Sequence, residues 1–188
     1  MREKLHLDDA HTLPILPRQL AQPRAPQPED DPHKTFSEMR KQVLRGTSTK
    51  FDLPAPVTAT EPWGVMMETT FQAGSLTLIA LSDGTASIYL SSGEGSIGGG
   101  QHESIRNAAQ RLVALGASFQ PGATRMRMFT LPMNGQAIFY LLTDSGVFGA
   151  KALEDDFTER RHPWSALYFA AHEIITQYHH LEKQNRNL

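Results

Sequence analysis

The chain has 188 residues, and its eighteen basic and twenty acidic side chains leave a net charge of −2. That length fits one domain with an additional segment. The even charge argues against nucleic-acid binding, which favours a basic excess, and the absence of cysteine excludes disulfides and thiolate metal sites. No apolar stretch reaches the roughly twenty residues that span a bilayer, and the N-terminus lacks the apolar core of a signal peptide. We therefore expect a cytoplasmic protein that does not bind membranes.

Proline dominates the first third of the chain, where nine of the twelve prolines lie between Pro14 and Pro62. Each proline removes a backbone donor and fixes φ, which disfavours both helix and sheet. Residues 1–33 are therefore predicted to be a disordered, proline-rich leader. This leader is either a solvated tail or a docking segment for a partner.

A short amphipathic helix and a linker are predicted over residues 34–62. Thr35 and Glu38 match the T-x-x-E capping box, and Gly46 is suited to end the helix. Its apolar residues recur at helical spacing and are the candidate interaction residues: Phe36, Met39 and Val43. Because so short a helix depends on packing, we expect it to dock on its own domain or on another chain.

Residues 63–180 read as one α+β domain. Its first half contains three predicted strands, at Val65 to Phe71, Ser75 to Ser82 and Thr85 to Ser91. Asp83-Gly84 predicts a type I′ hairpin turn between the last two strands. A glycine-rich loop follows at Gly93 to Gly100, and then a helix that Gly116 is expected to end. The apolar face of this helix comprises Ile105, Ala108, Ala109, Leu112 and Val113.

The second half repeats this order. Strands are predicted at Thr124 to Thr130, Gln136 to Thr143 and Val147 to Leu153, with a turn at Asp144-Ser145-Gly146. Glu154-Asp155-Asp156 is interpreted as a solvated turn, because it lacks the alternating spacing of a calcium loop. The last helix is predicted to start at Pro163 with His162 as its N-cap. Residues 181–188 are expected to form a polar tail.

The two halves match at a nearly constant spacing. Val65 and Met67 lie 61 residues before Met126 and Met128, and the helix faces match at 62 residues. We therefore predict a duplicated βββα unit. It would form a mostly antiparallel sheet of about six strands, with two packed helices and the short N-terminal helix. The open edges of such a sheet can pair with another chain, which favours a homodimer.

Candidate ligand-binding residues lie at the starts of the two main helices: Gly98, Gly99, Gly100, His102, Glu103 and His162. Gly93 to Gly98 matches G-x-G-x-x-G, but the preceding strand belongs to a hairpin, unlike that of a dinucleotide site. The loop is either a structural connection or a ligand contact. The two histidines could face one cleft if the halves are related by a pseudo-twofold axis. Equally, they could be a helix cap and a solvated residue.

No metal site, cofactor or catalytic residue is predicted. His172-Glu173 begins like the H-E-x-x-H zinc motif, but Thr176 stands where the second histidine is required. No nucleophile or second carboxylate is placed beside His102 or His162 to complete a catalytic site. The sequence therefore leaves enzymatic activity open and favours its absence.

Several short motifs together resemble a family of uncharacterised bacterial proteins. They are Trp63-Gly64-Val65, Glu68-Thr69, Asp83-Gly84-Thr85, Gly98-Gly99-Gly100 with His102-Glu103, and His162-Pro163. The resemblance covers residues 34–178 and implies a bacterial cytoplasmic protein, without an activity to transfer. The order of elements is also loosely similar to roadblock and longin-type modules, which dimerise and scaffold small GTPases, although those have five strands.

The function expected from the sequence is a non-enzymatic, homodimeric protein-interaction module. The first alternative is a ligand-binding protein or enzyme that uses the glycine-rich loop with His102, Glu103 and His162. The second alternative is a toxin-immunity or inhibitor protein, which fits a small acidic chain without being selected by any motif.

Overall fold

A computed structural model describes residues 32–71 and 74–186, without the side chains of 32–35, 71, 185 and 186. The predicted leader lies outside the described residues, except for Pro32 and His33, which begin the first helix. The Thr35 side chain of the predicted capping box is also outside them. Thr35 lies within the helix, so it is not the N-cap residue that the sequence suggested.

The described residues form an α+β fold, which confirms the predicted class. The helices are α1 (Pro32–Leu44), α2 (Glu103–Phe119), α3 (Glu154–Thr158) and α4 (Ser165–Arg186). The strands are β1 (Gly64–Phe71), β2 (Gly74–Leu81), β3 (Ala86–Leu90), β4 (Gly95–Ile97), β5 (Thr124–Arg125), β6 (Gln136–Thr143) and β7 (Gly146–Leu153). They form one antiparallel sheet in the order β4-β3-β2-β1-β6-β7-β5.

Alternating side chains give this sheet two buried faces. One face packs against α2 and α4, through residues such as Val65, Leu78, Phe139, Ile105 and Leu167. The other face packs against the end of α1 and the segment after it, through residues such as Met66, Ile79, Leu142, Val43 and Leu53. Because both faces are covered, β1, β2 and β6 are buried along most of their length.

The two halves of the chain pair their strands differently. In the first half β2 lies between β1 and β3, whereas β5 pairs with β7 and not with β6. The reason is that β1 occupies the free edge of β6, with Gly64 opposite Leu142. The predicted strand from Thr124 to Thr130 is therefore reduced to two residues at the outer edge of β7. The hairpin-helix order β2-β3-α2 and β6-β7-α4 is common to both halves.

Some local predictions were wrong. The structure describes seven strands where about six were predicted, because part of the glycine-rich loop forms β4. The acidic residues 154–156 begin α3 and are not an irregular turn. Gly116 does not end α2, which continues to Phe119; it is buried, and a Cβ there would lie 2.9 Å from Val65 Cγ2.

The hairpin turn and the end of the chain also differ from the predictions. Only Gly84 in the β2–β3 turn has positive φ (+90°), whereas a type I′ turn requires it at both central residues. Thr85 N–H donates to Asp83 Oδ1 at 2.8 Å and fixes the turn. At the C-terminal end, residues 181–186 continue α4 and do not form a separate tail.

Candidate functional site

The glycine-rich loop is packed against the domain. Gly98 has a φ of +84°, and Gly99 is buried with its N–H donating to Tyr178 Oη at 3.1 Å. Tyr178 Oη in turn donates to the carbonyl of Ala86 at 2.7 Å. A Cβ on Gly99 would lie 2.1 Å from Tyr178 Oη, so no other residue fits without a shift. Close packing between the loop and α4 therefore explains the buried glycine.

The predicted histidines are not brought together. Gly99, just before α2, contacts Tyr178 in the second half of α4, while Phe119 at the end of α2 packs on Trp164 beside the start of α4. The two helices are therefore antiparallel. Their starts, with His102 and His162, are separated by about the length of α2, roughly 25 Å at 1.5 Å per residue. His102 and Glu103 are exposed, so the loop, these two residues and His162 do not form one cleft.

His162 caps the region where α4 begins. Its Nδ1 accepts the Trp164 N–H at 3.1 Å, and its ring packs 4.6 Å from that of Phe157. Burial lowers the pKa of His162, and the nearby charge of Asp156 opposes that shift. The predicted capping role fits this contact, although the regular helix begins at Ser165, beyond Pro163.

A polar cluster that the sequence did not reveal joins α3, α4 and β1. The Glu154 carboxylate accepts hydrogen bonds from Tyr168 Oη at 2.6 Å and from Thr69 Oγ1 at 3.1 Å. The His172 ring lies 4.2 Å from that of Tyr168, and its buried Nε2 has no partner among the described residues. Burial lowers the pKa of His172 against the opposing charge of Glu154. The cluster holds the helices on the sheet.

A buried ion pair fixes α1 on the other face of the sheet. Glu68 is fully buried in β1, and both of its carboxylate oxygens accept from Arg40, at 2.6 and 2.8 Å. Thr77 Oγ1 donates to the same carboxylate at 3.0 Å. Arg40 also donates to the carbonyls of Phe129 and Thr130 at 2.9 and 3.2 Å. Arg40 therefore connects α1 both to the sheet and to the segment that follows β5.

The candidate interaction residues of α1 pack against the sheet of the same domain. Phe36 and Val43 are buried, and Met39 is partly buried against the same core. The sequence left open whether α1 docks on its own domain or on another chain. The structure shows that it docks on its own domain. These three side chains are consequently not exposed for a partner.

An open cleft lies where the end of α1 meets β5 and the β6–β7 turn. Its volume is about 540 Å³. Three arginines line it, Arg45, Arg125 and Arg127, together with apolar side chains such as Met126 and Val147. We call it the arginine cleft.

The charges in the arginine cleft are unbalanced. Arg125 donates to the carbonyl of Ser145 at 2.8 Å and its guanidinium lies 5.9 Å from the Phe148 ring, on the helix side of the sheet. Within residues 32–71 and 74–186 none of the three arginines has an ion-pair partner. The one acidic lining residue, Asp144, already accepts from the N–H and hydroxyl of Ser48, both at 2.7 Å. The cleft therefore presents excess positive charge in a chain whose net charge is −2.

Exposed methionines continue from this cleft. Met128, Leu131 and Met133 are 78%, 45% and 66% exposed, whereas Met126 and Phe129 pack inward. We call residues 124–133 the edge surface. The Met126 N–H donates to Val147 in β7, so the alternation of a strand turns the N–H and C=O of Arg125 outward. The edge surface thus combines a free strand edge, apolar side chains and positive charge.

The sequence contained a partial signal for this surface. The alternation Arg125-Met126-Arg127-Met128 predicts a strand with a basic face, but its two methionines have opposite environments. Strand periodicity would place both on the same face. Because the regular strand ends at Arg125, the alternation does not continue to Met128, which is exposed.

Comparisons with protein-family models, with curated proteins and with solved structures returned no match. Among the described helices, none is long and apolar enough to cross a membrane. Within the same residues, no group of three or more histidine or acidic side chains is placed to hold a metal ion. The family resemblance therefore stays a prediction.

Proposed function

We propose that the chain is a non-enzymatic protein-interaction module that binds its partner through the edge surface. The observation that carries the proposal is the exposure of Met128, Leu131 and Met133 on one short segment, whose first residues line the arginine cleft. Methionine is well suited to adaptable binding surfaces, because its flexible thioether side chain fits irregular contacts. Exposed apolar patches with polar surroundings commonly mark interaction sites.

The proposal includes self-association, since a sheet edge can pair with that of a second copy. The described sheet ends in two short strands, β4 with three residues and β5 with two. Beyond β5, the outer edge of β7 from Ala150 to Leu153 has no described strand beside it. A homodimer through this edge would place two edge surfaces close together.

The internal duplication belongs to the same proposal. It is supported by the hairpin-helix order that β2-β3-α2 and β6-β7-α4 have in common and by the matched helix faces of the sequence. We infer that two copies of one ancestral unit first paired through the free edges of their sheets. In the duplicated chain β1 occupies the edge of β6, and β5 was therefore displaced to the outer edge of β7.

Native mass spectrometry of the chain purified gently from its own host tests the proposal. We expect a mass of two chains, or of one chain with another protein. The double variant Met128→Glu/Met133→Glu should reduce that species at least about tenfold, since charged groups resist burial in an interface. The matched control is Asn107→Glu/Arg111→Glu, two exposed positions on α2, which should retain it. A monomer in the wild type, or equal complex in both variants, would contradict the proposal.

A further inference from the structure

We propose that the arginine cleft binds an extended acidic segment of a partner protein. This inference rests on the proposed function and names the chemistry of the partner. The three lining arginines lack carboxylate partners within the described residues, and the only acidic lining side chain is held by Ser48. A ligand rich in glutamate or aspartate would supply the missing charge, because guanidinium groups pair with carboxylates in a bidentate geometry.

The shape of the site favours a polypeptide over a small anion. The cleft is open and has a volume of about 540 Å³, and Met128 is exposed between its lining residues Arg127 and Phe129. The outward N–H and C=O of Arg125 can hydrogen-bond an added strand, the mode by which sheet edges capture peptides. An inorganic anion would use the guanidinium groups and leave both the strand edge and Met128 uncontacted.

The apolar lining sets a second requirement on the partner. Leu44, Met126, Phe129 and Val147 line the cleft beside the arginines. Successive side chains of an extended segment point to opposite sides, so acidic residues alternating with leucine would meet the guanidinium groups and the apolar surface together. We therefore expect acidic-apolar alternation in the bound segment.

Fluorescence anisotropy with a labelled peptide of alternating glutamate and leucine, ten residues long, tests the inference on the full chain. The control peptide has lysine in place of every glutamate. We expect the acidic peptide to bind at least about tenfold more tightly than the control and to weaken as salt rises, as screened charge pairs do. Equal binding of the two peptides, or affinity independent of salt, would overturn the inference.

Charge reversal locates the site. Arg125→Glu/Arg127→Glu should weaken the acidic peptide at least about tenfold, whereas Arg111→Glu on the exposed face of α2 should leave its affinity within about twofold. The lysine peptide should bind the reversed variant better than it binds the wild type, and this rescue also shows that the variant is folded. Failure of the rescue together with unchanged acidic-peptide affinity would place the binding elsewhere.

Other occupants give distinct results. If inorganic phosphate displaced the peptide at equal ionic strength, the cleft would be a small-anion site and the inference would fail. If reversing Glu29, Asp30 and Asp31 to lysine in the full chain tightened the peptide tenfold, the occupant would be the chain's own N-terminal segment, which also overturns it. Loss of the native complex in Met128→Glu/Met133→Glu without acidic-peptide binding would reject the acidic partner and retain the interaction module.

Discussion

Removing the charge of Arg40 should destabilise the fold strongly, because it leaves a fully buried carboxylate without its partner. Glu68 is 0% exposed and the Arg40 side chain is 13% exposed, with two charge-assisted hydrogen bonds between them. Breaking a buried pair from one side costs about 3–5 kcal/mol. Arg40→Met keeps the aliphatic stem, so we expect the free energy of unfolding to fall by that amount.

The double variant Arg40→Met/Glu68→Met distinguishes the contribution of the ion pair to stability from that of side-chain packing. Replacing both charges removes the unpaired carboxylate, and such replacements are often neutral or stabilising. The carbonyl of Phe129 still loses its donor, at about 1 kcal/mol, whereas that of Thr130 keeps the hydrogen bond from Tyr140 Oη. The double variant should therefore be more stable than Arg40→Met alone, with a coupling energy of at least about 2 kcal/mol.

Urea unfolding at pH 7, analysed by linear extrapolation, measures these differences. The control is Lys41→Met, which removes the exposed pair between Lys41 and Glu38 on the same helix, with side chains 54% and 57% exposed. It should cost no more than about 1 kcal/mol. A loss below about 1 kcal/mol for Arg40→Met, or additive single-variant effects, would refute the assignment of Arg40 as the anchor of α1.

Three further predictions concern the helix side of the sheet. Gly99→Ala should lower the free energy of unfolding in urea by about 2–4 kcal/mol, because its Cβ meets Tyr178 Oη. Gly98→Ala, where the Cβ meets open space, should cost only the positive-φ penalty of about 1–2 kcal/mol. Equal losses in the two variants would contradict the packing role of Gly99. Tyr178→Phe should cost about 1–3 kcal/mol by removing two buried hydrogen bonds, and a neutral effect would count against both. Burial holds the pKa of His172 below its ordinary value, so the unfolded chain binds the proton first and stability falls as pH drops below about 6.5. His172→Phe should flatten the dependence of the unfolding free energy on pH between about 7 and 5, and an unchanged slope would exclude His172 as a source.

The elements predicted best were those specified by local pattern. β2, β3, β6 and β7 follow apolar runs bounded by turn residues, and α2 shows its apolar face at the spacing of a helix. Gly116 was misread because glycine serves both to end a helix and to let a helix approach a sheet. Only the position of Val65 in the folded sheet distinguishes these two uses.

Long-range pairing could not be obtained from local pattern. The segment after Thr124 has the alternation of a strand, but its natural neighbour β6 is already paired with β1. Competition between distant segments for one edge is a property of the assembled sheet. The same limit applied to Glu68: a charge within the apolar start of β1 suggests a buried partner, yet nothing in the sequence identifies Arg40.

The candidate site shows a similar division. The composition of the glycine-rich loop suggested a ligand-binding role. The structure instead shows Gly99 packed against Tyr178. The arginine cleft joins residues about eighty positions apart in the chain, so its charge is not visible as a cluster in the sequence. Its parts become neighbours only because α1 folds back onto the face of the sheet beside β5.

Site-specific photo-crosslinking in the native host tests most directly whether the edge surface binds protein. A crosslinking amino acid is placed at position 128 in the edge surface and, as a control, at position 111 on the exposed face of α2. We predict one dominant adduct at position 128, with a defined protein or a second copy of the chain, and none of comparable yield at position 111. No adduct at position 128, or the same adducts at both positions, would contradict the account.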